Sequence, residues 1–318
     1  MSDRAGSSRQ RVPAAEWAPE LEVGEELVRA LLRDQFPVLA RLPLSRFAEG
    51  WDNVLWRVGD ELAFRFPRRA IAVPGVEREI ALLPAIAPAL PLAVPVPVHV
   101  GRPSARYPWP FFGARFIPGI EPCEAALDGR REVMGAALGR FLRALHEPAL
   151  AGRQGGGLPV DPMGRADMAE RVPRTRARLE ALGAVGAWRR TPLVEHLFDM
   201  ALTIGPPVGE PVLCHGDLHV RHVLVDPATG EPSGVIDWGD ACLADPSVDL
   251  GLYWSLLDDV GRRAFREAYG PIGEGRLIRA RVLALFLGAA LAQYALDVGH
   301  AALLPEALAG LDRTLADA

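Results

Sequence analysis

Residues 212–250 read VLCHGDLHVRHVLVDPATGEPSGVIDWGDACLADPSVDL. Two short apolar runs, VLC at 212–214 and HVLVD at 222–226, have the length and composition of strands, and residues 226–234 (DPATGEPSG) carry the Pro and Gly of a turn. A third apolar run, GVID, ends on an acid. Polar groups therefore fall at strand ends: Asp217 in the loop after the first run, His222 five positions later, Asp237 at the close of the third run, and Asp240 just beyond. Phosphoryl transfer needs such a layout. One carboxylate must orient an acceptor hydroxyl and take its proton, and other hard ligands must hold the magnesium that bridges the phosphates. Groups set at the ends of a hairpin have fixed separations, and positioning is most of the catalysis in this reaction.

The composition narrows the chemistry further. All 35 basic residues of the 318 are Arg. A phosphate-binding P-loop and a pyridoxal Schiff base both require Lys, so both are excluded. The net charge of −5 gives no sign of a nucleic-acid partner. Cys123, Cys214 and Cys242 lack the spacing of a disulfide framework or a thiolate zinc site, and they read as buried thiols of a reducing compartment. The N-terminus has no apolar signal segment, so a cytoplasmic protein with no membrane partner is expected. The most apolar stretch, residues 282–296, is too short to span a bilayer and reads as a buried helix.

Outward from the opening stretch, the chain divides in two. A frayed or loosely docked arm is expected over the first twenty residues, then a helix over 24–34. Three apolar runs follow, LSRFAEG, NVLWRVG and ELAFRFP, separated by Gly50 and by Gly59-Asp60, as an antiparallel meander. A helix is expected over VEREIALLPAI at 76–86, with Pro74 near its start. The Pro-dense residues 91–110 suggest extended edge segments before a further strand, PFFGARFI. Beyond Pro118-Gly119 the pattern is helical over 130–146, 163–184 and 189–204, with a flexible loop at RQGGG (153–157), and helical again from 245 to the end. Two domains are expected, 1–118 and 119–318, with a ligand cleft between them.

Taken in order, these pieces resemble the aminoglycoside phosphotransferase family, small-molecule kinases that share their fold with protein kinases. The resemblance rests on HGDLHVRHVLVD followed by GVIDWGDACLADPSVDL, and it extends to FAEGWDNVLWRV, LAFRFPRR, GVEREIALLPAI and GRFLRALHEP, about residues 44–255. It implies an α+β, protein-kinase-like two-lobed fold, with an antiparallel sheet and one helix in the first lobe and a mainly helical second lobe. It implies Asp217 as catalytic base, Asp237 as magnesium ligand, and ATP or GTP as phosphate donor to a small-molecule hydroxyl. Residues 245–250 look like the family's structural helix start. Arg65 takes the place of the family's phosphate-binding Lys, with Glu79 as its helical partner. Gly50 marks the loop over the phosphates, and Ile117 lies in the hinge segment beside the nucleotide.

Two departures stand out. His222 occupies a position where the kinase-like pattern has Asn as a second metal ligand, and imidazole suits softer metals better than magnesium. Arg65 is the other: an Arg can hold phosphate bidentately where Lys acts as a point charge, but it is bulkier and not a neutral swap. Asp199, Asp258, Asp259 and Asp297 lie in the acceptor half and favour an amine-bearing acceptor, aminoglycoside or otherwise. Two other readings fit the same residues: a nucleotide-binding protein without catalysis, and a zinc site built from His215, His219 and His222. His215 reads as a residue bonded to backbone within its loop, His146 as a helix cap, and Asp240 as a turn residue or else a minor metal or acceptor-site group. The oligomeric state is not written in this pattern.

Overall fold

The computed structural model describes residues 19–50, 52–127, 129–153 and 157–316. The expected N-terminal arm, most of the RQGGG loop and Trp51 lie outside the described residues. The chain forms two compact units, one running to Val76 and including His99–Ala114, the other comprising Glu77–Val98 and the chain from Arg115 onward.

The first unit begins with α1 (Glu25–Gln35), whose buried Val28, Leu31 and Leu32 follow the helical i, i+3, i+4 spacing. The meander follows as β1 (Leu44–Glu49), β2 (Asn53–Val58) and β3 (Leu62–Pro67). Its period-2 alternation buries Val54, Trp56 and Val58 on β2 and Phe64 and Phe66 on β3, with Arg65 paired to Leu55. Later strands β4 (Pro97–Gly101) and β5 (Phe111–Arg115) complete a sheet of order β1-β2-β3-β5-β4. At Gly113 a Cβ would run into the Phe64 ring, so glycine lets that ring lie flat on the neighbouring strand. The Pro-dense segment supplies the sheet edge, where missing N–H donors cost least.

The helix α2 (Val73–Ile86) crosses from one unit to the other. Its buried Leu82, Leu83 and Ile86 belong to the second unit's core. That unit continues with α3 (Arg131–Leu145), α4 (Pro148–Ala151), α5 (Met168–Ala184) and α6 (Pro192–Thr203). Two small hairpins follow. The strands β6 (Val212–Cys214) and β9 (Cys242–Ala244) pair antiparallel, as do β7 (Val223–Val225) and β8 (Pro232–Val235). The last helices are α7 (Gly251–Ser255), α8 (Asp259–Tyr269), α9 (Glu274–Val298) and α10 (Leu303–Leu315).

The apolar stretch at 282–296 lies within α9, which is long and apolar enough to cross a membrane by length and composition; half of its most apolar window is buried. Helices α5, α6, α7 and α10 pack around it. Helices α3 and α8 approach backbone to backbone. A Cβ at Gly135 would strike the Gly261 carbonyl oxygen, and one at Gly139 would lie 2.6 Å from that of Phe265.

Three local expectations shift. The helix expected from 163 begins at Met168, because residues 161–166 form a turn and Asp167 caps α5 by accepting the Ala169 N–H at 2.9 Å. The GVID strand ends at Val235, because Asp237 takes a left-handed φ of 64° that a strand cannot hold. The strand β9 was not anticipated.

Candidate active site

The turn that carries Asp217 is held from below by a carboxylate far along the chain. Asp249 is fully buried and accepts the His215 N–H at 2.7 Å and the Gly216 N–H at 3.0 Å. Its Oδ2 also meets His146 Nε2 at 3.2 Å, and His146 Nδ1 meets Tyr269 Oη at 2.8 Å. Burial alone would push the Asp249 carboxyl up. The hydrogen bond and charge of His146 and the Gly216 amide outweigh it, so the carboxyl sits below its ordinary value. His146 thus ends α3, as expected of a cap, but its side chain serves Asp249.

Gly216 permits the loop's close approach. Its φ is +89°, and a Cβ there would collide with the Asp240 carbonyl. His215 donates Nε2–H to the Ile236 carbonyl at 3.0 Å, which leaves Nδ1 to accept the Asp217 N–H at 3.3 Å. This is the backbone role expected of His215. Burial depresses its pKa, as the charge of His222 also does, so the ring is neutral.

Asp217 itself is partly exposed, with a side-chain exposure of 29%. Two histidines flank it, their rings stacked with centroids 3.8 Å apart. His219 Nδ1 accepts the Arg221 N–H, and its Nε2 faces Asp217 Oδ2 at 3.6 Å. Burial and then the neighbouring His222 drive the His219 pKa well below the ordinary value. His222 Nδ1 lies 2.7 Å from the Asp217 carbonyl oxygen, which can only accept, so Nδ1 carries the proton. Its Nε2 lies 3.6 Å from Asp237 Oδ2. An imidazole nitrogen and a carboxylate oxygen at this separation are donor types for a divalent cation. Asp217, His219 and His222 also offer ligand atoms within 4.8 Å of one another. In the buried group of His146, Cys214 and Asp249, burial raises the Cys214 pKa well above its ordinary value.

Asp237 is positioned by its neighbours. The Trp238 N–H donates to Glu79 Oε1 at 2.9 Å, Trp238 is fully buried, and Arg78 donates to the Gly239 carbonyl. Glu79 is itself fully buried, and this contact with the segment after Asp237 is a partner the sequence pattern did not anticipate. Ile117 packs over Gly234, where a Cβ would lie 2.6 Å from its Cγ2. In the first unit, Arg65 alternates with the buried Phe64 and Phe66, as its strand position requires. Gly50 donates to the Asn53 carbonyl at 2.9 Å at the β1–β2 tip and is exposed.

Asp240 pairs with a residue distant in sequence. It accepts from Arg165 Nη2 at 2.6 Å, a residue the sequence reading passed over. Asp249 was legible only as part of a helix start, and no local spacing tied it to His215. Asp199, Asp258, Asp259 and Asp297 are all exposed, and Asp258 caps α8 by accepting the Gly261 N–H at 2.9 Å.

With this geometry in view, the comparisons with known proteins agree. The aminoglycoside 3'-phosphotransferase of Streptomyces fradiae is 30% identical over 141 residues, 43% of this chain and 49% of that one. The chain spans about half the length, or less, of the curated relatives it matches. Among solved structures, the GDP complex of aminoglycoside 2'-phosphotransferase-IIIa superposes with a TM-score of 0.67 at 20% identity, covering 93% of this chain and 99% of that one. The macrolide 2'-phosphotransferase MphH from Brachybacterium faecium gives a TM-score of 0.56 at 25% identity, covering 91% and 98%. The fold is therefore the kinase-like α+β fold, and since residues 43–282 match the model of the phosphotransferase enzyme family, the chain belongs to that family.

Proposed function

We propose that this protein transfers the γ-phosphate of ATP or GTP to a hydroxyl of a small molecule, with Asp217 as general base. The observation that carries the reading is the loop itself: a partly exposed carboxylate on a turn held by buried Asp249, with His222 Nε2 3.6 Å from Asp237 Oδ2 beside it. Asp217 orients the acceptor hydroxyl and takes its proton as the oxygen attacks phosphorus. Asp237 and His222 would hold magnesium, which when bound neutralises charge on the phosphates. His219 Nε2–H faces Asp217 Oδ2 and limits the rotation of the carboxylate. Arg65, Gly50 and Ile117 are the candidate nucleotide contacts, and Glu79 supports the segment that carries Asp237.

Related structures carry GDP, in one case together with kanamycin, and others carry ATP with streptomycin or ADP with spectinomycin. A hydroxyl-bearing antibiotic or an amine-bearing metabolite is the acceptor class these relatives suggest. With an antibiotic as acceptor the protein would act as a resistance enzyme, in the cytoplasm where nucleoside triphosphates are found.

The test is a transfer assay with purified protein, magnesium, and ATP and GTP separately, against aminoglycosides, macrolides and small alcohols, with Asp217→Asn as control. Transfer that the control loses by on the order of 10²-fold or more supports the reading. Magnesium-dependent nucleotide binding with neither transfer nor hydrolysis would instead favour a binding protein. The cluster of Asp217, His219 and His222 favours one further reading. Stoichiometric zinc in protein purified without added metal would replace the magnesium site.

A further inference from the structure

The two arginines that follow β3 both turn back onto the β1–β2 tip. Arg68 has a side-chain exposure of 9%, and its Nη1 lies 2.5 Å from Glu49 Oε1 and 3.2 Å from the Gly50 carbonyl oxygen. Its N–H donates to the Asp52 carbonyl at 2.7 Å, which carries the β2–β3 ladder one step past the Asn53–Pro67 pair. Arg69 Nη1 holds Asp52 Oδ1 at 2.9 Å. The chain before α1 braces the same point. The Arg68 carbonyl accepts the N–H groups of Glu20 and Leu21 at 2.9 and 3.1 Å, and Glu20 Oε1 accepts the Ala70 N–H at 3.2 Å. Arg68 is therefore fixed by its backbone before its side chain meets the tip.

The tip is poorly suited to phosphate by composition alone. Residues 49–53 hold one glycine, Gly50, and two acids, Glu49 and Asp52. Glycines let a loop bring backbone N–H groups against phosphate, and a carboxylate beside phosphate repels it. Here each acid is paired with a guanidinium, and the Gly50 carbonyl is taken by Arg68. The arginines thus offset the negative charge of the tip and fix its backbone, the two things that its sequence lacks. Folding does not account for the outer pair. Asp52 is 42% exposed, and an ion pair so open to solvent contributes little to stability.

We infer that Arg68 and Arg69 are positioning residues for the nucleotide, holding the β1–β2 tip in the conformation that receives the phosphates. Arg69 acts through Asp52, and Arg68 through Glu49 and Gly50. A loop ordered in advance avoids an ordering cost when the ligand binds. This rests on the reading of Gly50 and its tip as the cover over the phosphates.

The experiment measures the affinity of the full chain for ATP with magnesium, and for adenosine as a competitor, with GTP and guanosine in their place if those bind better. The variants are Arg69→Met, Asp52→Asn, the two together, Arg69→Lys and Arg68→Met. Arg69→Met and Asp52→Asn should each weaken ATP about 10-fold, the cost of ordering the freed tip, and leave adenosine unchanged. The double variant should lose no more than either single one, because both remove the same contact. Arg69→Lys should recover part of the loss. Melting temperatures of these variants should stay within about 4 °C of the wild type. Arg68→Met should weaken ATP at least as much as Arg69→Met does, again without loss of adenosine. Wild-type ATP affinity in Arg69→Met overturns the inference. So does an equal loss for ATP and adenosine, which marks a structural role. A loss in Arg69→Met that Asp52→Asn does not reproduce also overturns it, because Arg69 would then meet the phosphates itself. A wild type that binds no nucleotide overturns the parent reading, and this inference with it.

Discussion

The carboxylate of Asp249 and the backbone of His215, 34 positions apart in sequence, meet at 2.7 Å in the protein interior. One oxygen takes the His215 N–H and the other takes that of Gly216, so a single buried side chain sets the pitch of the turn that presents Asp217. In Asp249→Asn one oxygen becomes an NH₂ group that faces a backbone donor. A loss of about 2–4 kcal/mol in stability is expected from the unsatisfied buried groups. Urea denaturation measures it, and transfer activity should fall along with it. An Asn variant as stable as the wild type would show that the turn is held by other contacts.

Gly216→Ala should be more damaging than its size suggests. The φ of +89° is strained for alanine, and the new Cβ meets the Asp240 carbonyl, a backbone atom that cannot rotate away. The expected outcome is a stability loss of at least about 1–3 kcal/mol, with activity lost even where folding is retained. Thermal denaturation alongside the transfer assay separates the two effects.

Gly135→Ala tests the packing of α3 on α8 away from the site. The added methyl would strike the Gly261 carbonyl, so the helices must move apart at a cost of about 1–3 kcal/mol. Alanine favours an isolated helix by up to about 1 kcal/mol over glycine, so a net loss in denaturation midpoint means that the close approach dominates.

Acid should destabilise the protein well before its carboxylates titrate. His215 and His219 both have folded pKa values below the ordinary 6.5, burial being the largest cause for each. The unfolded chain then binds more protons, so stability is fully present above about pH 6.5 and falls as the pH drops through it. The slope approaches about 1.4 kcal/mol per pH unit for each histidine once its unfolded form is protonated. Asp249, whose folded value is also depressed, adds a second loss only below its ordinary 3.8. Denaturation at pH 7.5, 6 and 5 should show the first decline, and His219→Asn should flatten it. Constant wild-type stability over that range would contradict the burial of neutral histidines.

Asp237→Asn alters one of the two proposed metal donors. It should raise the magnesium concentration needed for nucleotide binding by at least the roughly 10-fold cost of disturbing a supporting residue. Calorimetric titration of nucleotide at several magnesium concentrations reads this directly, without turnover.

Much of this molecule was legible from local pattern. Strand period exposed the β1–β3 meander and set Arg65 apart from Phe64 and Phe66. Turn residues marked the hairpin between β7 and β8, and the spacing from His215 to Asp237 announced the candidate chemistry. These features survive in sequence because strand and helix periods and turn preferences act over a few residues. The turn at 161–166, the left-handed Asp237, the pairing of Asp240 with Arg165 across 75 positions and the grip of Asp249 on His215 were decided only in the folded chain. They depend on which distant segments closure of the whole chain brings together. A buried carboxylate and a solvated one have the same letter until the tertiary fold has taken the water away.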